Sequence, residues 1–172
     1  GGIFSRATVN IKWVDSELVT ADNVDEILGD VSGILVPGGF GNRGIDGMLE
    51  AIKYARTHNI PFLGLCLGMQ LSIVEFARDV IGYNDAHSAE LDPDTTHPVI
   101  HIMPEQIDVE NIGGTLRLGS YPCVLNKDSK AYNLYGSEEI QERHRHRYEV
   151  NNDYRDVLTQ NGMLLSGLSP DG

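Results

Sequence analysis

At 172 residues, with 41% hydrophobic and 22% charged side chains, the chain has the size and balance of one globular domain. Lys+Arg 13 against Asp+Glu 25 leaves a net charge of -12, which repels phosphate backbones and makes nucleic acid a poor partner. No apolar run approaches the ~18 residues of a membrane span, the start lacks a signal-peptide core, and Cys66 and Cys123 form no CxxC pattern, so a soluble, cytoplasmic protein without disulfides or a metal site is expected.

In chain order, residues 8–14 alternate Val9, Ile11 and Trp13 with polar partners, the period of a strand with one buried face. Asp22 or Asn23 can cap a short helix through Leu28. Residues 33–36 form a short apolar strand ended by Pro37-Gly38-Gly39, after which Ile45, Met48, Leu49 and Ile52 recur at helical spacing. Residues 61–65 repeat the arrangement and lead into a helix over about 68–80, with Leu71, Val74 and Ala77 on one face. Strands alternating with helices imply an α/β fold, an open and mostly parallel sheet with helices on both faces. Beyond Asp92 the texture changes. Residues 98–103, 115–118 and 123–125 read as strands between glycine turns, a small antiparallel excursion. Residues 129–135 and 153–160 are helical in composition, and 163–166 begin a last strand.

Gly64-Leu65-Cys66-Leu67-Gly68 places a thiol between two glycines where a strand gives way to a helix. With serine at its centre this is a nucleophile elbow, in which small neighbours permit a strained backbone that presents the side chain outward. A helix N-terminus adds unpaired N–H groups and the positive end of the helix dipole, which favour a thiolate. An inert cysteine at a strand end fits the same five residues. The second element is Pro37-Gly38-Gly39-Phe40-Gly41, whose backbone can direct N–H groups at an acyl oxyanion, with the Leu67 N–H as partner. No Lys-Ser/Thr follows, which removes the phosphate-loop reading.

Together PGGFG and GLCLGMQ resemble the class I (triad) glutamine amidotransferases, and Gly113 to Gly119 with Glu142 to Asn151 (ERHRHRYEVN) look like the glutaminase domains of the CTP synthase family. The resemblance runs over nearly the whole chain and implies a flavodoxin-like sheet. It makes Cys66 the nucleophile, Gly39 and Leu67 the oxyanion donors, and Gly68, Met69, Gln70, Glu90 and Arg147 contacts to L-glutamine. A guanidinium fork at Arg147 suits the substrate α-carboxylate, and Glu90 suits its α-ammonium. Read by strand alternation, Arg143, Arg145 and Arg147 face one side and His144 and His146 the other. His101 to Glu105 echoes the family's catalytic His-Pro-Glu but stands in the wrong place, and is read as a strand end.

The family's catalytic histidine and glutamate would follow Gly172, and a strand and helix would precede Gly1. Residues 1–172 are therefore expected to be a glutaminase domain incomplete at both ends, near-inactive alone and without a cofactor of its own. The resemblance also implies a synthetase domain on the same polypeptide, using Mg2+, ATP and UTP, with GTP as activator and a homo-tetrameric assembly. Two alternatives stay open: another cysteine hydrolase on this fold, of γ-glutamyl hydrolase type, and a non-catalytic glutamine-binding fragment.

Overall fold

The computed structural model describes residues 2–102 and 117–172. Its first half is built from two strand-helix units. Strand β1 (Ile34–Val36) leads to helix α3 (Ile45–Thr57), and β2 (Phe62–Gly64) to α4 (Leu67–Phe76); two shorter helices, α1 (Gly2–Ser5) and α2 (Val24–Leu28), come before them. β1 and β2 pair in parallel, Ile34 with Phe62 and Val36 with Gly64. Ile45, Leu49 and Ile52 are buried along α3, which is the face their spacing predicts. α4 lies at the centre of the core: Leu71, Val74 and Ala77 are fully buried and pack with Val36, Val99, Ile100 and Leu158. The helix runs on through a π-helical turn, Ala77–Ile81, that ends at Gly82 in the left-handed region. A second cluster, Val19, Val24, Leu28, Ala51 and Tyr54, seals α2 against α3.

Beyond α4, β3 (His87–Ser88) runs parallel to β4 (Pro98–Ile102), which pairs antiparallel with β7 (Tyr148–Val150). A separate antiparallel sheet joins β5 (Arg117–Leu125) to β6 (Glu139–His146) and, through Val124 and Leu125 only, to β8 (Gly167–Leu168). Pro122 therefore sits where β5 has a single strand neighbour, the kind of place where a residue without an N–H is tolerated. Helix α5 (Lys130–Tyr135) starts on Ser129, whose hydroxyl accepts the Tyr132 N–H at 3.0 Å, and stops at Gly136 with φ 70. Helix α6 (Arg155–Gln160) buries Leu158. The α/β architecture is thus present, with its parallel pairing shared between β1–β2 and β3–β4.

Three expectations are corrected. Residues 8–14 form no strand. Val9, Ile11 and Trp13 are exposed, no described strand pairs with the segment, and Lys12 reaches instead to the Ile27 carbonyl and to Asp30, each at 2.7 Å. A period-2 pattern supplies the side chains of a strand but not the neighbouring edge that must satisfy its backbone. The last strand is Gly167–Leu168 and not 163–166: it pairs antiparallel with Val124 and Leu125 at the end of β5. Arg147 does not share the face of Arg143 and Arg145. The chain leaves the β5 sheet after His146 and enters the β4 sheet at Tyr148, so alternation is broken at Arg147, which is half-buried while Arg143 and Arg145 are exposed. The capping expectation at Asn23 holds for position alone: its side chain accepts from the Thr20 N–H and donates to the Leu18 carbonyl, leaving the helix uncapped. Met103 to Glu105 and the Gly113 to Leu116 part of the glycine motif lie outside the described residues.

Candidate active site

Cys66 stands between β2 and α4 with φ 52 and ψ -107, a left-handed-side conformation that costs a non-glycine residue of order 1–3 kcal/mol and persists only where the surroundings enforce it. The surroundings are the two flanking glycines. A Cβ on Gly64 would lie 2.6 Å from the Gly68 carbonyl, and one on Gly68 would lie 2.1 Å from the Val36 carbonyl oxygen. Helix α4 can therefore press its first turn against both strands only because neither residue has a side chain. The Leu65 N–H donates to the Val36 carbonyl at 2.9 Å and the Gln70 N–H to the Cys66 carbonyl at 3.0 Å, which fixes the elbow from both sides. Cys66 is a free thiol and exposed.

The glycine loop after β1 lies beside this thiol. The Cβ position of Gly38 is 3.2 Å from Cys66 Cβ and 3.9 Å from its Sγ, and that of Gly39 is 3.3 Å from Leu67 Cδ2. Gly39, Leu67 and Cys66 are thus brought together. Gly38, which the sequence places in the donor loop without a role of its own, is the loop glycine that lies against the cysteine.

Gln70 is buried on the first turn of α4 and its Nε2 donates to the Tyr148 carbonyl at 3.0 Å. That bond ties the helix carrying the cysteine to the residue after Arg147. Met69, on the same turn, is 40% exposed. Glu90 is exposed on the loop after β3, where its N–H donates to the Ser88 hydroxyl at 3.3 Å. Because β3 and β4 are parallel and β7 is antiparallel to them, the carboxyl end of β3 and the start of β7 lie at the same end of that sheet. Glu90 and Arg147 leave from that end, and the Gln70 bond ties the first turn of α4 to it. Ligands of open α/β sheets bind at the carboxyl ends of parallel strands, where PGG and Cys66 also sit.

Each of the six histidines has a hydrogen-bond partner other than Cys66. His58 meets the Tyr54 carbonyl, His87 the Ser88 N–H, His97 Asp85, His101 the Ile102 carbonyl, and His144 and His146 bond each other at 2.8 Å. The buried Nδ1 of His146 has no partner among the described residues. Burial holds both rings of the pair below the usual imidazole range, with the Arg117 charge acting in the same direction. Cys123 is half-buried on β5, and burial together with Glu142 pushes its thiol up. Among the described residues no group of three or more His, Cys, Asp or Glu is arranged to hold a metal ion, and no helix is long and apolar enough to cross a membrane.

A family model described as glutamine amidotransferase class-I matches residues 4–171. The CTP synthase of Clostridium acetobutylicum is 57% identical over 171 residues, covering 99% of this chain and 32% of that protein. That of Staphylococcus saprophyticus is 61% identical over 167 residues, covering 97% and 31%. A solved structure described as Trypanosoma brucei CTPS glutaminase domain with bound acivicin superposes with a TM-score of 0.91 at 39% identity, covering 98% of this chain and 65% of that one. The chain spans about a third of the length of these curated relatives.

Proposed function

This chain belongs to the class-I glutamine amidotransferases, and we propose that residues 1–172 are a glutaminase domain in which Cys66 attacks the side-chain amide carbon of L-glutamine. The Sγ–C bond forms, the carbonyl oxygen becomes an oxyanion facing the Gly39 and Leu67 N–H groups, and the C–N bond then breaks with a proton delivered to the departing nitrogen. Ammonia leaves. Water attacks the γ-glutamyl thioester, releasing glutamate and restoring the thiol. Arg147 pairs with the α-carboxylate and Glu90 with the α-ammonium, while Gly68, Met69 and Gln70 line the first turn under the substrate. The observation that carries this reading is the strained Cys66 wedged between the Gly64–Gly68 contact and the Gly38-Gly39 backbone.

In the longer polypeptide, the similarity to CTP synthases supports delivery of the ammonia to a synthetase domain that aminates UTP to CTP with ATP and Mg2+. GTP activation, a homo-tetramer and a cytoplasmic location belong to the same reading. The test is glutamate and CTP formation by the full-length protein. Cys66→Ala is expected to abolish glutamate release and glutamine-driven CTP formation while leaving amination by added ammonium chloride intact. Glutamine-driven CTP formation that survives the substitution would refute the assignment, and glutamate release from γ-glutamyl peptides without any CTP formation would favour the hydrolase alternative.

A further inference from the structure

The loop from β3 to β4 is held at both of its ends. At the carboxyl end of β3, Ser88 is buried: its hydroxyl accepts the Glu90 N–H, and its carbonyl accepts those of Leu91 and Asp92 at 3.0 and 2.9 Å. At the other end the returning chain is clasped by one carboxylate. Asp85 Oδ2 accepts the Thr96 N–H at 2.7 Å and its hydroxyl at 2.6 Å, while Oδ1 lies 2.6 Å from His97 Nδ1. The Asp85 carbonyl accepts the Thr95 hydroxyl at 2.6 Å. The His97 ring is stacked on Tyr83 at 4.2 Å, so the residue Asp85 grips is also fixed in plane.

Four bonds from one residue onto three consecutive residues are more than a surface turn requires. β3 is only two residues long, so the pairing of the strands does little to define the path of the chain that joins them. We infer that Asp85 is a positioning residue for Glu90: by clasping Thr95 to His97 it fixes the return leg of the loop, and so the place from which Glu90 reaches the α-ammonium of an amino-acid substrate. This rests on the reading of Glu90 given above. Asp85 touches no substrate itself and acts through the loop.

The test uses the full-length protein with Asp85→Ala, Asp85→Asn, Glu90→Gln and the Asp85→Ala/Glu90→Gln pair. Asp85→Ala is expected to raise KM for glutamine about tenfold, the scale of loss that a displaced binding group brings, and to leave kcat within about twofold. Alkylation of Cys66 by iodoacetamide, which has no α-ammonium, should keep its rate. Asp85→Asn retains one acceptor oxygen for Thr96 and should restore much of the KM. Added to Glu90→Gln, Asp85→Ala should change KM no further. A KM rise undiminished in the Glu90→Gln background, or a fall in kcat and iodoacetamide rate together, would show a general structural role and overturn the inference. So would an unchanged KM in Asp85→Ala beside a raised one in Glu90→Gln. An unchanged KM in Glu90→Gln alone would remove Glu90 from the substrate site, and this inference with it.

Discussion

Cys66 and Cys123 differ in exposure and in backbone setting. Cys66 is exposed at a strained strand-to-helix junction, whereas Cys123 is half-buried beside Glu142 with its thiol pushed up. Brief treatment with a glutamine-like electrophile is expected to label Cys66, and peptide mapping that finds Cys123 modified first would reverse the assignment. Arg147 carries the second residue-scale prediction. Arg147→Ala should weaken glutamine binding by about 1.5–3 kcal/mol, as for a hydrogen bond to a charged group, and Arg147→Lys should weaken it too because an ammonium cannot reproduce the planar fork. Calorimetry on the full-length protein measures both; unchanged affinity in the pair of variants would make Arg147 a structural residue.

Helices α3 and α4 are joined by an ion pair that the sequence does not announce. Glu75 is buried on α4, and Arg56 of α3 donates to it from Nε at 3.0 Å to each oxygen and from a terminal nitrogen at 2.7 Å. Glu75→Ala is expected to lower unfolding stability by about 2–4 kcal/mol, short of the full cost of breaking a buried pair because the Arg56 side chain is 35% exposed. Asp79→Ala, which breaks the more open pair with Lys53, should cost under about 1 kcal/mol. Equal denaturant midpoints for the two variants would contradict this ranking. The β6 histidines give an element-scale pH dependence. His144 and His146, like His87, have imidazoles held below their ordinary value mainly by burial, so below about pH 6.5 the unfolded chain binds protons that the folded one does not. Stability is then full above that pH and falls as the solution is acidified through it. Thermal melts from pH 8 to 5.5 should show the decline, with a shallower slope in the His144→Gln/His146→Gln protein; parallel slopes would show that the pair is not its source.

For the whole molecule, the arrangement of the histidines sets an expectation for activity. All six are engaged by partners other than Cys66, so residues 1–172 hold no imidazole bonded to the thiol in position to protonate departing ammonia. General acid–base help of that kind is worth ~10²–10⁴-fold. A protein of residues 1–172 alone is expected to be alkylated at Cys66 yet to release glutamate slower than the full-length protein by a factor in that range. Glutamate-release assays run side by side decide it, and comparable rates would mean that one of these histidines turns to the thiol during turnover.

The elbow, its glycine loop and the two strand-helix units were legible from residues 33–80 because their residue types carry a local mark: short apolar runs, glycines where the chain must approach itself, and helical spacing read within one element. Tertiary structure decided what depends on partners distant in the chain. Val9, Ile11 and Trp13 have a strand's pattern without a neighbouring edge, and Arg147 changes sheets in the middle of a string that reads as one strand. The Gln70 bond to Tyr148, the Arg56–Glu75 pair and the Asp85 clasp join residues whose side chains carry no mark of their partners. Local steric rules can be read one residue at a time, whereas pairing and burial are properties of two surfaces meeting, and only the folded chain brings those surfaces together.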